Sequence, residues 1–281
     1  MTRFRAACVQ MTSGADWREN IATAGEFAED AKNQGANLIL FPENVSVLDE
    51  DREKIRDSAS PMDGHPVIAA FQEMAARLET WILAGTIPVA IGRDGAGQQQ
   101  TVARSCLIDA SGALVAHYDK IHMFDVTLAD GESYRESATV HAGDTAVVAP
   151  TPWGGLGMTV CYDLRFPHLY RDLAKAGADF LAIPAAFTRP TGAAHWDVLL
   201  RARAIECGAY VFAPAQCGVH PGGRKTWGHG MIIDPWGKVI AQAGEEPELL
   251  LAEIEPQSTK AARDRIPALR HDRAYSGPSA A

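Results

Sequence analysis

The sequence predicts an α/β protein in which mixed β-sheets are covered by helices. Apolar runs of strand length alternate with amphipathic stretches of helix length along most of the chain. Two pairs of runs are joined by turn sequences typical of β-hairpins, Ser111-Gly112 in the middle of the chain and Pro235-Trp236-Gly237 later. No Gly/Ser-rich linker or block of like charges divides the 281 residues, so we expect one domain over residues 1–281.

The first half of the chain opens with a clear strand–helix–strand pattern. Phe4–Gln10 has the composition of a strand. Asp16 is a good helix N-cap with Glu19 three residues later, and Gly35 is expected to end that helix. Residues 37–41 (NLILF) form a continuous apolar run, which predicts a strand buried on both faces. The other elements predicted here are a helix over 66–79, a strand over 81–86, and hairpin strands over 103–109 and 113–118.

The second half begins with a long stretch of little periodicity, residues 121–144, and such a length indicates a functional loop. The alternation then resumes. The predicted strands are 157–161, 180–184, 210–215, 231–234, 238–242 and 249–254, and the predicted helices are 167–176 and 195–206. From about residue 257 onward we expect a short helix and an extended C-terminal arm.

Composition and charge argue against several classes of function. Hydrophobic residues make up 47% of the chain and charged residues 22%, as in ordinary globular proteins. The formal net charge of −9 argues against a nucleic-acid partner or an anionic membrane, because both attract a basic surface. No Rossmann G-x-G-x-x-G or Walker pattern follows a predicted strand, so we expect no nucleotide cofactor.

The cysteines and histidines predict neither a disulfide framework nor a metal site. The five cysteines are an odd number without a C-x-x-C pair, which favours a reducing compartment. The nine histidines show no H-E-x-x-H pattern or paired Cys/His spacing. The first residues, MTRFRAACVQM, lack the apolar stretch of a signal peptide or membrane span, so we expect a cytoplasmic protein.

Three ionisable side chains follow apolar runs: Glu43 in NLILFPEN, Lys120 in AHYDKIHMFD and Cys161 in GLGMTVCYDLRFP. Ligands of open α/β sheets bind at the carboxyl ends of strands. Taken singly, the three have ordinary interpretations as a loop glutamate, a surface lysine and an inert core cysteine. Together they are chemically sufficient for nucleophilic catalysis. A thiol attacks as the thiolate, an ammonium lowers its pKa and stabilises an oxyanion, and a carboxylate moves the protons.

In that order, FPEN, YDKIHMFD and VCYDLRFP resemble the three motifs of the carbon–nitrogen hydrolase (nitrilase) superfamily, and the resemblance extends over nearly the whole chain. It implies a four-layer α-β-β-α sandwich and cofactor-free hydrolysis of a C–N bond through a cysteine thioester. It implies Glu43 as general base, Lys120 as oxyanion-stabilising cation and Cys161 as nucleophile. The family's second glutamate, which orients the lysine, falls on Glu136 in YRES, with Glu132 as a nearby alternative.

The segments PAAFTRPTGAAHW and AQCGVHPGGRKTWGHG resemble the branch of amidases that hydrolyse deaminated glutathione. The alternatives are omega-amidases that act on alpha-ketoglutaramate, other nitrilase-type amidases, and N-carbamyl amidohydrolases. The resemblance suggests Arg165, Phe187, Thr191 and Tyr162 as binding residues for a small carboxylate-bearing amide, since a guanidinium can grip a carboxylate with two bonds. The ordinary alternatives are a salt bridge from Arg165 to Asp163, core packing for Phe187 and a turn position for Thr191.

Two further interpretations of the site stay open. One is a Cys–His hydrolase with His122 or His195 as base, and the other is a non-catalytic descendant that acts as a binding partner. The resemblance also implies a homodimer or higher homo-oligomer paired across a helical face. Arg189-Pro190 stands where related amidases have small or apolar residues, and this departure affects the expected shape of the pocket.

Overall fold

The computed structural model describes residues 2–127, 131 and 133–277. The strands up to residue 141 are β1 (Phe4–Gln10), β2 (Leu38–Leu40), β3 (Ser60–Pro61), β4 (Trp81–Leu83), β5 (Ile87–Arg93), β6 (Gln99–Ile108), β7 (Leu114–Asp119), β8 (Asp125–Thr127), β9 (Ser133–Arg135) and β10 (Val140–His141). The later strands are β11 (Val147–Thr151), β12 (Gly154–Met158), β13 (Ala178–Ala182), β14 (Tyr210–Ala213), β15 (Cys217–Val219), β16 (Lys225–Trp227), β17 (Met231–Ile233), β18 (Val239–Gln242) and β19 (Glu248–Ile254). The α-helices are α1 (Trp17–Asn33), α2 (Arg52–Asp57), α3 (Pro66–Leu78), α4 (Pro167–Lys175), α5 (Arg189–Cys207) and α6 (Gln257–Arg265).

The strands form two large mixed sheets and two small ones. The first large sheet has nine strands in the order β19-β1-β2-β4-β6-β5-β3, with β7 and β10 also bonded to β6. The second has six strands in the order β11-β12-β13-β14-β17-β18. β8 pairs with β9 and β15 with β16 as separate two-stranded sheets. In the first sheet β1, β2 and β4 are parallel, and β12, β13 and β14 are parallel in the second.

Strand β1 shows why the sheets are stacked, because its side chains are buried on both faces. Successive side chains of a strand point to opposite faces of the sheet. Phe4, Ala6 and Cys8 belong to the apolar cluster shared with the second sheet, and the Phe4 ring lies edge-on to Phe180 of β13 at 5.4 Å. Ala7 and Val9 point the other way and pack with the apolar faces of α1 and α3.

Helices cover the outer face of each sheet. The apolar cluster behind the first sheet includes Ala24 and Ala28 of α1 and Phe71 of α3. Tyr170 of α4 and Leu200 of α5 pack on the second sheet in the cluster that also fills the space between the sheets. The four layers are therefore helix, sheet, sheet and helix, and the predicted α-β-β-α sandwich is confirmed. Within the described residues, no helix has both the length and the apolar composition to cross a membrane.

Most predicted elements are present, with differences at their ends. Strand β1 has the predicted bounds, and the predicted cap of α1 is made by the Asp16 side chain, which accepts from the N–H of Arg18. The helix predicted over 195–206 begins earlier, at Arg189, because Pro190 in its first turn favours a helix start. The strand predicted over 157–161 ends at Met158, and the chain then turns into a 3₁₀ helix, Cys161–Arg165.

Candidate active site

The topology brings the three motif residues to one edge of the two stacked sheets. β2 is parallel to β4, and both β4 and β7 are antiparallel to β6. β7 therefore runs parallel to β2. Glu43 follows β2 and Lys120 follows β7, so both leave the first sheet at the same edge. Cys161 follows β12 of the second sheet. All three, which the sequence places far apart, line one cavity of about 400 Å³.

Lys120 is the buried centre of a charge cluster. Its Nζ donates to Oε1 of Glu43 at 2.8 Å and to both carboxylate oxygens of Glu136 at 2.8 Å. The side chain is only 2% exposed. Burial alone would lower the pKa of Lys120, but the charges of Glu136 and Glu43 outweigh it and raise the pKa well above its usual value. Lys120 is therefore a permanent ammonium.

The carboxylate of Glu43 is fixed through both of its oxygens. Oε1 accepts from Lys120, and Oε2 accepts from the backbone N–H of Ala186 at 2.8 Å. Burial favours the neutral acid, but the charge and hydrogen bond of Lys120 prevail and lower the pKa of Glu43 below its usual value. Glu43 is thus an ionised carboxylate at neutral pH. The predicted second glutamate, Glu136, also accepts from the N–H of Phe124 at 2.6 Å, whereas Glu132 lies outside the described residues.

Cys161 has an unusual backbone conformation for its residue type. Its φ of 45° lies in the left-handed region, which costs free energy for a side chain other than glycine and often marks a functional site. Its N–H donates to the carbonyl oxygen of Pro184 at 3.0 Å, so the turn is held against the end of β13. The conformation presents the side chain at the start of the 3₁₀ helix, where it lines the cavity.

Lys120 lowers the pKa of the Cys161 thiol, as expected, but it does not determine the net direction of the shift. Burial and the charge of Glu43 raise the pKa of Cys161 well above its usual value, and the opposing effect of Lys120 is smaller. The resting residue is a neutral thiol beside an ionised carboxylate. A thiol in this state can act as a nucleophile only if a base takes its proton, and the carboxylate of Glu43 lines the same cavity.

Asp163, two residues past the cysteine, fastens the loops of the site together. Its fully buried carboxylate accepts from the N–H of Val160 at 2.8 Å and from the hydroxyl of Tyr118 at 2.7 Å. It also accepts from the N–H of His122 at 3.0 Å and contacts the Nδ1 of that ring at 2.7 Å. Asp163 therefore joins the cysteine turn to the segment that carries Lys120.

The loop that carries Glu43 depends on a close approach of backbone. A Cβ built at Gly85, whose φ is 36°, would lie 1.8 Å from the carbonyl oxygen of Pro42. Only glycine fits at such a distance. On the other side, Nε2 of Gln216 donates to the carbonyl oxygen of Glu43 at 2.9 Å and to Oγ of Ser13 at 2.7 Å. The backbone on both sides of the carboxylate is held by neighbouring loops.

The predicted substrate-binding residues divide into two groups. Tyr162, Phe187 and Thr191 line the cavity. Arg165 does not belong to the lining, and its guanidinium lies over the rings of Tyr162 and Phe187 at 5.8 and 5.5 Å. Its Nη1 contacts Nδ1 of His195 at 3.3 Å rather than Asp163. Thr191 lies in the first turn of α5, where its hydroxyl bonds Thr188, so it is not a turn residue.

The histidines proposed as alternative bases have other surroundings. His122 stacks on the ring of Phe166 at 3.5 Å and bonds Asp163. His195 contacts Arg165 and, like His122, is absent from the residues that line the cavity. Glu43 is thus the base that the geometry favours. Among the described residues, no group of three or more His, Cys, Asp or Glu side chains is arranged to hold a metal ion.

Sequence reasoning missed Arg224, a cation in the cavity wall. It follows the turn Pro221–Gly223, and its Nη2 donates to the carbonyl oxygen of Ala186 at 2.9 Å. Its positive charge contributes to the low pKa of Glu43. An arginine directly after a Pro-Gly-Gly turn was the available signal, but it follows no predicted strand and belongs to none of the three motifs.

Known proteins resemble this chain over nearly its full length. The model of the carbon–nitrogen hydrolase family matches residues 5–264. A protein of Synechocystis sp. named deaminated glutathione amidase is 45% identical over 96% of this chain and 98% of its own length. The crystal structure of the C. elegans NitFhit protein superimposes with a TM-score of 0.86 at 33% identity, over 96% of this chain and 65% of that one.

A second similar structure carries a ligand on a cysteine. It is a mutant of the amidase from Nesterenkonia sp. AN1, 25% identical with a TM-score of 0.78 over 95% of each chain, in which the acetamide moiety of fluoroacetamide is covalently added to the active-site cysteine. With the family match and the site geometry, these similarities are decisive. The chain belongs to the carbon–nitrogen hydrolase family and is a hydrolase of the amidase type.

Proposed function

We propose that the protein hydrolyses the amide bond of deaminated glutathione, with Cys161 as nucleophile. The observation that carries this proposal is the contact set of Lys120, which places an ammonium 2.8 Å from two carboxylates in a cavity that Cys161 also lines. The name of the 45% identical relative supports the substrate. A cavity of about 400 Å³ supports it too, because pockets of ~300–1,000 Å³ hold ligands of drug size, whereas a very small amide would leave much of it filled with water.

In the first half-reaction, Glu43 takes the proton of the Cys161 thiol as sulfur attacks the amide carbonyl carbon. Lys120 and the N–H of Tyr162 stabilise the oxyanion that forms. Once Glu43 is neutral, its hold on the ammonium weakens, and Lys120 turns toward the new negative charge. The C–N bond then breaks, and Glu43 returns the proton to the departing amine of cysteinylglycine. The acyl group remains on sulfur as a thioester.

In the second half-reaction, water replaces the amine. Glu43 takes a proton from this water as the oxygen attacks the thioester carbonyl, and the same donors stabilise the second oxyanion. The C–S bond breaks, the thiol recovers its proton from Glu43, and 2-oxoglutarate leaves. Glu136 keeps Lys120 in place through both steps, and it retains a negative charge beside the ammonium while Glu43 is neutral.

The test is a comparison of kcat/KM for deaminated glutathione, alpha-ketoglutaramate, a simple nitrile and an N-carbamyl amino acid. Deaminated glutathione should be the best substrate. Cys161→Ala and Glu43→Gln should abolish turnover while the proteins stay folded. If Glu43→Gln remains active and His122→Asn does not, the base is a histidine and the mechanism is wrong. If folded wild-type protein forms no adduct at Cys161 with any amide, it is not an enzyme of this kind.

We also propose that the protein is a cytoplasmic homodimer paired across α5. Val198 and Ile205, one heptad apart on this helix, are 66% and 57% exposed, and an apolar face of this kind favours association. All five cysteines are free thiols, as a reducing compartment requires. Sedimentation of the wild type and of Val198→Asp tests the dimer. A wild-type protein that sediments as a monomer at all concentrations would contradict it.

A further inference from the structure

The cavity wall carries more acidic than basic side chains, although the proposed substrate is an anion. The acidic residues are Glu43, Asp49, Glu50 and Glu136, and the basic ones are Lys120, Arg135 and Arg224. The net charge of the whole chain, −9, has the same sign. A carboxylate can bind here only beside a cation that is free to receive it.

Two of the three cations already have other partners. Lys120 is enclosed by Glu43 and Glu136. Arg135 is an exposed residue of the hairpin β8–β9, and its Nη1 donates to the carbonyl oxygens of Val126 at 3.1 Å and Tyr134 at 2.8 Å. Arg135 thus mainly ties its own hairpin together.

Arg224 is different, because none of the ion pairs between described residues includes it. Its Nη2 bonds the carbonyl oxygen of Ala186, and its guanidinium lies 5.5 Å from the ring centre of Tyr134. Its Nε is buried and has no hydrogen-bond partner in the described part of the chain. A guanidinium offers five donors in a planar fork that matches a carboxylate, so most of this capacity is available to a ligand.

The turn that carries Arg224 is held rigidly. His220 is buried, and its ring nitrogens contact the carbonyl oxygen of Ser13 at 2.9 Å and Oγ1 of Thr226 at 2.7 Å. The N–H of His220 donates to the carbonyl oxygen of Arg224 at 2.9 Å and closes the turn. A cation positioned in advance loses little conformational entropy when a ligand binds.

A single peptide segment connects Arg224 to the reacting atoms. The N–H of Ala186 donates to Glu43, and the carbonyl oxygen of the same residue accepts from Arg224. We propose that Arg224 binds the carboxylate on the acyl side of the substrate, which in deaminated glutathione is the 2-oxo acid group. This inference rests on the proposed function and adds to it a specificity-determining residue. Amides with an acyl-side carboxylate are preferred over neutral amides of the same length.

Arg165, the arginine suggested by the family resemblance, is less suited to this role. Its guanidinium lies over two aromatic rings and beside His195, and it does not line the cavity. Its guanidinium packs on the rings of Tyr162 and Phe187, which line the cavity themselves. If Arg224 binds the carboxylate, Arg224→Gln removes the preference for a charged amide, whereas if Arg165 binds it, Arg165→Gln does.

The experiment compares glutaramate, the monoamide of glutarate, with glutaramide, its neutral diamide, in the wild type and in Arg224→Gln. The wild type should prefer glutaramate. Arg224→Gln should lose about 10- to 100-fold more in kcat/KM on glutaramate than on glutaramide, the value of one charge-assisted hydrogen-bonded contact. Arg224→Lys keeps the charge without the fork and should fall between them. Arg135→Gln, the matched control in the same cavity, should keep the preference of the wild type.

An equal loss on both amides would mean that Arg224 acts only by holding Ala186 and Glu43, and this would overturn the inference. So would an unchanged preference in Arg224→Gln, or loss of the preference in Arg165→Gln. Thermal unfolding of each variant, together with the conservative variant Arg224→Lys, distinguishes a lost contact from a misfolded protein. If the inference about Arg224 fails but the wild type hydrolyses deaminated glutathione, the proposed function is unaffected. If the wild type does not hydrolyse deaminated glutathione, the proposed function itself is wrong.

Discussion

Lys120 is the buried cation that holds the candidate site together, and its replacement by methionine removes the charge while keeping most of the length. The substitution leaves Glu43 and Glu136 without the ammonium that each contacts at 2.8 Å. Removing one partner of a buried ion pair typically costs about 3–5 kcal/mol of unfolding free energy. We expect Lys120→Met to lose about 3 kcal/mol at neutral pH, the lower end, because a carboxylate can take up a proton instead.

The same substitution should reduce catalysis. Loss of one oxyanion donor costs about 3–4 kcal/mol of transition-state stabilisation, or about 10²- to 10³-fold in kcat. The base is affected as well. With Lys120 gone, burial is the main influence on Glu43, and its pKa rises instead of falling. Since the proposed mechanism requires the ionised carboxylate of Glu43, the acidic limb of the kcat/KM profile should move to higher pH.

Stability should show the matching pH dependence. In the wild type the folded-state pKa of Glu43 is lowered, so its contribution is complete above the unfolded-state pKa and is lost as the pH falls below it. In Lys120→Met the folded-state pKa is raised, so the variant gains stability as the pH falls toward the unfolded-state pKa. The difference in unfolding free energy between the two proteins should therefore shrink on acidification.

Product assays across pH and urea unfolding at pH 5 and pH 7 measure these effects. Lys120→Arg is the control, because it keeps the charge in a different shape. It should lose activity with the acidic limb near its wild-type position. An unshifted limb in Lys120→Met, or a loss of stability independent of pH, would show that the ammonium does not set the protonation of Glu43.

Three smaller perturbations test other parts of the site. Iodoacetamide should label Cys161 in preference to the other cysteines and abolish turnover; peptide mapping that finds the label elsewhere, with activity lost, would contradict its role as nucleophile. Asp163→Asn should cost about 1–3 kcal/mol by urea unfolding and lower kcat, because an amide cannot accept from all the donors around that carboxylate; an unchanged unfolding curve would show that those bonds contribute nothing. Gly85→Ala should lower both activity and Tm, since its Cβ would overlap the oxygen of Pro42, and a fully active, stable variant would refute the close approach.

Much of the fold could be predicted from periodicity, and the failures have a physical cause. Strands β5 and β11 were missed, and both contain a proline, Pro88 and Pro150, a residue that argues against a strand. In β5, Pro88 precedes Val89 and Ala90, the two residues that pair with β3, and β11 lies at the edge of the second sheet. The missing N–H of a proline weakens a sheet only where a neighbouring strand would accept a hydrogen bond from it. Whether such a strand is present depends on residues far away in sequence.

The candidate site was predictable where strand ends and motifs coincide, as at Glu43, Lys120 and Cys161. Their meeting in one cavity could not be derived from spacing, because it depends on how two sheets stack. The sequence suggests for Asp163 only a salt bridge to Arg165, because it does not reveal which donors surround a carboxylate. The raised pKa of Cys161 was missed for a similar reason, because burial outweighs the nearby ammonium only once the packing is known.

The proposed base and cation extend from one sheet and the proposed nucleophile from the other, so the reacting atoms straddle a seam of interdigitated hydrocarbon side chains. A slip of the sheets by a fraction of an ångström would separate sulfur from carboxylate while every strand kept its hydrogen bonds. The rate of turnover is therefore more sensitive to the alignment of the two sheets than any spectroscopic measure of secondary structure. Residues such as Leu156, remote from any substrate, can influence the reaction rate simply by keeping the two halves in alignment.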